Sequence, residues 1–177
     1  MEKDLTKFDC IVNKKMANAL TAMEVKAVRI NGEIIILKTI FKQSNYLREK
    51  KIYILLKDED FLPELKYFDD KHFILGLTDV GDSINLYKVK NPEKYNKLVE
   101  KINKEIKNIV NKLFDKYSLY HNDLREKNIC IDNHNKIRLI DFEGTSKKLH
   151  WFENQYLRRV GERRIGGDGM YFICTKI

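Results

Sequence analysis

The chain has 177 residues and a net charge of +8, which suits one compact domain without a Pro/Gly/Ser-rich linker and a surface rich in solvated lysines. Its longest uninterrupted apolar runs span only four to five residues, as in Ile34 to Leu37, and charge begins at Glu2, so neither a membrane span nor a signal peptide is expected, and the chain reads as a soluble intracellular, cytoplasmic protein, with a nuclear location also compatible. Cys10, Cys130 and Cys174 are distant and odd in number, which argues against a zinc site or a disulfide scaffold and predicts buried thiols.

In chain order, residues 25–41 alternate and carry β-branched side chains around Asn31-Gly32, a two-residue hairpin signal, so a β-ribbon is predicted to end near Lys38. Residues 44–55 read as a helix with Ser44 as its cap, an apolar stripe of Leu47, Ile52 and Leu55, and Glu49 among its charges. A strand is expected over 71–77 and a flexible connection over 78–84. Asn91-Pro92 then opens the clearest helix, Asn as cap and Pro in the first turn. Tyr95, Leu98, Val99, Ile102, Ile106, Ile109, Val110, Leu113 and Tyr117 keep a helical period to its end, as a core-packing face does.

The segment His121-Asn122-Asp123-Leu124-Arg125-Glu126-Lys127-Asn128, followed by Asp141-Phe142-Glu143, carries most of the chemical information. Transfer from a nucleotide triphosphate needs a carboxylate near the attacking hydroxyl and oxygen ligands for magnesium. Asp123 suits the first task, and Asn128 and Asp141 suit the second. Residues 129–132 and 137–140 are short β-type runs separated by 133–136, and pairing them brings Asn128 and Asp141 to one end of a ribbon.

These residues resemble the catalytic and metal-binding loops of the protein-kinase-like superfamily, whose pattern is H-x-D-L-x-x-x-N followed by D-F-G. The resemblance implies an α+β, two-lobed kinase-like fold, with a β-rich N-lobe (1–77), a hinge (78–84) and a truncated helical C-lobe (85–177). It implies ATP and Mg2+ as cofactors and a phosphotransferase activity. By the same resemblance Lys38, at the end of its strand, would pair with the nucleotide phosphates, and Glu49 would hold that lysine, with Glu59 and Glu64 as substitutes. Leu77 to Asp79 would offer backbone to the adenine, and Arg125 would stabilise the transferring phosphoryl group. His121 is expected to be a scaffold for the loop. A protein serine or threonine hydroxyl is the preferred acceptor, so a protein substrate or partner is expected, ahead of nucleic acid and with no membrane.

The sequence also departs from that pattern. Glu143 stands where protein kinases have glycine, and Asp-Phe-Glu with His-Asn-Asp-Leu is similar to choline, ethanolamine and aminoglycoside phosphotransferases. No glycine occurs over 18–24, where the nucleotide loop should be, and only 144–177 follow Glu143. A minimal kinase is therefore expected, its core closed by a short amphipathic helix over 151–164 with the arginines facing outward. The alternatives are a pseudokinase or decoy that binds another protein, a small-molecule kinase, and an ATPase subunit of a complex such as those of tRNA modification.

Overall fold

Asn31 and Gly32 both take positive φ (51° and 81°), the conformation that a tight turn between two right-twisted strands requires. They join β2 (Ala22–Ile30) to β3 (Glu33–Ile40), with Ile30 opposite Glu33, so the turn chemistry sets the register of the pair. The structure is a computed structural model and describes residues 11–12 and 22–148. The expectations for Cys10, for Cys174, for most of 18–24 and for 151–164 lie outside them. The protein is mixed α+β, and its packing divides it into two units between Val80 and Gly81.

The first unit is a five-stranded antiparallel sheet in the order β1-β2-β3-β5-β4, where β1 is Ile11–Val12, β4 is Leu65–Asp69 and β5 is Ile74–Thr78. Strand β3 is central and buries Ile35, Ile36, Lys38 and Ile40. The expected strand over 71–77 is corrected: β5 begins at Ile74, and Lys71 and His72 lie in a turn whose amides both donate to Asp69 Oδ1 (2.8 and 3.0 Å). An aspartate that satisfies amides two and three residues on favours a turn over a ladder. Strand β4 was not expected. It packs across Gly76, where an added Cβ would stand 2.9 Å from Tyr67 Cβ.

Helix α1 (Gln43–Leu55) follows β3, and Lys42 occupies its cap position, so Ser44 lies inside the first turn and does not cap it. The expected stripe is also corrected. Leu47 and Leu55 are about half exposed (50 % and 49 %), and the helix buries Tyr46, Glu49, Ile52 and Tyr53. Two tyrosines offer more area than two leucines, and the Tyr46 hydroxyl keeps a partner by donating to Asp70 (2.6 Å).

In the second unit β6 (Asp82–Ser83), β7 (Ile129–Ile131) and β8 (Ile137–Leu139) form an antiparallel sheet in that order. Residues 81–84 are therefore not a loose connection: Asp82 pairs with Ile131, Ser83 with Cys130, and Ile84 opens α2 (Ile84–Lys90). Gly81 passes so close that a Cβ there would lie 2.2 Å from Ile131 O. Helix α3 (Pro92–Tyr117) has Pro in its first turn as expected. The Asn91 side chain makes no capping bond, because its backbone (φ −139°, ψ 60°) departs from the extended geometry that aims a cap at the first amides. The helix buries Ile102, Ile106, Ile109, Val110 and Leu113, while Tyr95, Leu98 and Val99 nearer its start are only half-buried.

The end of α3 delivers the loop that follows. Ser118 turns left-handed (φ 53°), its amide donates to Phe114 O (2.8 Å) and that of Leu119 to Leu113 O (3.1 Å), a pair of bonds that closes the last turn and redirects the chain. Cys130 is a buried thiol in β7, as expected. Among the described residues no helix is long and apolar enough to cross a membrane.

Candidate functional site

In the second unit the chain leaves α3 through Leu119 and Tyr120 and runs along the segment that contains Ser146, with backbone bonds in both directions between Tyr120 and Ser146 (2.8 and 3.1 Å). His121 comes next and is buried against Phe142, ring centroids 4.7 Å apart. Its Nε2 donates to Ile140 O (3.0 Å), and its Nδ1 accepts from the Asp123 amide (3.3 Å). A carbonyl only accepts and an amide N–H only donates, so these partners assign the imidazole hydrogen to Nε2. Both nitrogens are committed to holding the loop.

Asp123 is oriented from both sides. Arg125 Nε bonds its Oδ1, and Asn128 Nδ2 donates to its Oδ2 (2.7 Å) and to its backbone oxygen (2.9 Å). Leu124, 1 % exposed, anchors the loop between them, and a short 3-10 turn, Glu126–Asn128, leads into β7. Because two acceptors face the Asn128 amide nitrogen, its Oδ1 is left as the ligand atom.

Asn128 and Asp141 stand at the same end of the β7–β8 ribbon. The ribbon pairs Ile129 with Leu139, Cys130 with Arg138 and Ile131 with Ile137, and the Ile140 amide extends it by donating to Asn128 O (3.0 Å). Asp141 is the next residue and takes left-handed backbone (φ 68°, ψ 59°), which aspartate tolerates better than most side chains. A carboxylate oxygen of Asp141 and one of Glu143 lie within 4.8 Å of each other. Carboxylates and an amide oxygen are hard ligands of the kind that Mg2+ takes, so the donor chemistry fits that ion.

Sequence reasoning missed two supports of this loop. Lys88 reaches from α2 to Glu126 (2.6 Å); burial opposes its charge, but hydrogen bonds to Glu126 and Tyr95 outweigh it and hold its pKa above that of a free lysine. The other is Asn122, which is fully buried and donates to residues beyond Asp141. No local pattern reports either contact.

In the first unit Lys38 Nζ lies 2.7 Å from Glu49 Oε2, joining β3 to α1. Lys38 is 7 % exposed and Glu49 0 %. Taking two charges out of water costs nearly as much as their attraction returns, so such a pair adds little net stability while the loss of one partner is severe. Of the substitutes for Glu49, Glu64 is exposed and pairs with Lys66 (2.8 Å), and Glu59 stands beyond the end of α1. Leu77 is buried inside β5 opposite Ile36; the Thr78 amide donates to Glu64 O (3.0 Å), and Asp79 is exposed. Lys38, Glu49, Leu77 and Asp79 thus belong to the first unit, and Asp123, Arg125, Asn128 and Asp141 to the second.

Compared with models of known protein families and with curated proteins, the sequence finds no match.

Proposed function

We propose that this protein is an ATP- and Mg2+-dependent phosphotransferase of the protein-kinase-like superfamily, with the first unit as its β-rich N-lobe and the second as a truncated C-lobe. One observation carries the reading: Asn128, whose Nδ2 steers the Asp123 carboxylate (2.7 Å), stands at the same end of the β7–β8 ribbon as Asp141. Asp123 orients or deprotonates the acceptor hydroxyl, while Asn128 Oδ1 and Asp141 hold the metal. Bound Mg2+ would neutralise charge on the phosphates. Lys38, kept in place by Glu49, is assigned to the phosphates of the nucleotide, and Arg125 to the phosphoryl group in transit. Such a reaction is driven by positioning and electrostatics, which suits a site whose carboxylate is oriented before substrate arrives. The acceptor we favour is a serine or threonine hydroxyl of a protein.

The test is label transfer from ATP in the presence of magnesium, with a generic basic protein as acceptor and with choline or an aminoglycoside as alternatives, comparing the unaltered chain with Asp141→Ala. Transfer to protein that vanishes in the variant supports the reading, and transfer only to the small molecules moves the acceptor to that class. ATP hydrolysis without transfer points instead to an ATPase subunit. Absence of nucleotide binding would overturn the proposal in favour of a protein-binding module.

A further inference from the structure

We propose that Asn122 is a positioning residue that clasps the segment following Asp141 to the loop bearing Asp123, and so sets the metal-binding carboxylate relative to the one that meets the acceptor. The inference rests on the phosphotransferase reading. Asn122 is 0 % exposed, and its Nδ2 donates to Gly144 O (3.2 Å), Ser146 Oγ (3.0 Å) and Lys148 O (2.9 Å). Three acceptors share two hydrogens, so this amide is the centre of the turn it holds.

The neighbouring contacts run the same way. Thr145 Oγ1 donates to His121 O (3.5 Å), and Ser146 Oγ donates to Lys148 O (2.8 Å) while accepting from Asn122. Asn122 lies directly before Asp123, and its partners begin directly after Glu143, so the clasp joins the two stretches of chain that carry the proposed chemistry.

Position 122 makes two demands at once. Its backbone is left-handed (φ 62°), which asparagine and glycine accept and most residues do not. Its side chain must also donate to several carbonyl and hydroxyl oxygens. Glycine meets the first demand only, glutamine or serine the second only, and aspartate would set a carboxylate against the same acceptors. Asparagine meets both.

The test uses the full chain carrying Asn122→Gly and, separately, Asn122→Asp, both of which keep the backbone accessible. Mn2+ binding in the presence of a non-hydrolysable ATP analogue is followed by electron paramagnetic resonance, and amide exchange at Tyr120 and Ser146 is followed without nucleotide. Loss of an outer partner of a metal site weakens affinity by about 10- to 100-fold, and that loss is expected in variants whose circular dichroism matches the unaltered chain, together with faster exchange at both amides. A purely structural asparagine would lower the melting temperature and leave the Mn2+ affinity of the folded fraction unchanged, and that result overturns the proposal. Should both variants fail to fold, Ser146→Ala removes one of the three acceptors of Asn122 together with the hydroxyl's own bonds to Lys148; a severalfold loss of Mn2+ affinity supports the clasp, and unchanged affinity overturns it. If the unaltered chain binds neither Mn2+ nor the nucleotide analogue, the phosphotransferase reading itself fails and takes this one with it, an outcome distinct from intact binding in every variant.

Discussion

Asn128 Nδ2 donates to both Asp123 Oδ2 (2.7 Å) and Asp123 O (2.9 Å), so one amide group fixes the carboxylate and the backbone of the same residue. Asn128→Ala removes that donor together with the proposed metal ligand. Loss of a single preorganised donor in an active site costs about 10²–10³ in kcat, and steady-state phosphotransfer by the variant should fall at least that far. A rate within about threefold of the unaltered chain would contradict the role given to this contact.

Asparagine accepts the left-handed backbone that Asp141 adopts (φ 68°, ψ 59°). Asp141→Asn is therefore expected to change stability by only about 0.5 kcal/mol while removing Mg2+-dependent nucleotide binding. Thermal unfolding and calorimetric titration of Mg2+ with nucleotide separate the two effects, and a variant that keeps its Mg2+ dependence would remove Asp141 from the metal site.

Lys38 and Glu49 are both buried, so either left alone is an uncompensated charge. Lys38→Met and Glu49→Leu should each destabilise the first unit by about 3–5 kcal/mol, whereas the two changes together should recover most of that loss. A double-mutant cycle in urea measures it. Single changes that each cost under about 1 kcal/mol would show that the pair is not held in a dry interior.

Ser118 ends α3 in a conformation that costs an L-residue about 1 kcal/mol relative to glycine. Ser118→Gly should accordingly raise stability by about 0.5–1 kcal/mol, allowing for glycine's greater freedom in the unfolded chain. Chemical denaturation would show the gain as a higher midpoint, and a lower midpoint would mean that the hydroxyl makes a contact worth more than the backbone relief.

Acid should loosen the β4–β5 turn. Hydrogen bonds from Lys50 and Tyr46 hold the Asp70 carboxyl below the usual carboxylate range. At Asp69 burial acts in the opposite direction, but hydrogen bonds from His72 and from the His72 and Lys71 amides outweigh it and the pKa is again lowered. Both groups bind protons more readily in the unfolded chain, so their contribution is complete above the ordinary aspartate pKa and is lost as pH falls through the lowered folded values. Unfolding midpoints measured from pH 7 down to about pH 2 should decline below roughly pH 4, and Asp70→Asn should flatten part of that decline; an unchanged slope in the variant would exclude Asp70 as a source.

Features that depend on near neighbours are legible in the order of the residues. Asn31-Gly32 specifies its hairpin because only a few residues accept positive φ twice in succession, and the period from Ile102 to Leu113 specifies a helix because one face must leave water. The ribbon that brings Asn128 and Asp141 to one end was legible for the same reason, its strands and turn lying within a dozen residues. Glu49 is the expected partner of Lys38, with Glu59 and Glu64 as substitutes, and it is the packing of α1 on the sheet that brings Glu49 Oε2 to 2.7 Å from Lys38 Nζ. Tertiary structure also chose the tyrosine face of α1 over the leucines and inserted β4, whose partner strand lies beyond a turn that reads as extended chain. Asn122 makes the point most plainly. Its acceptors lie 22, 24 and 26 residues further on, and no pattern in a local window reports a hydrogen bond that forms only when two distant loops are folded together.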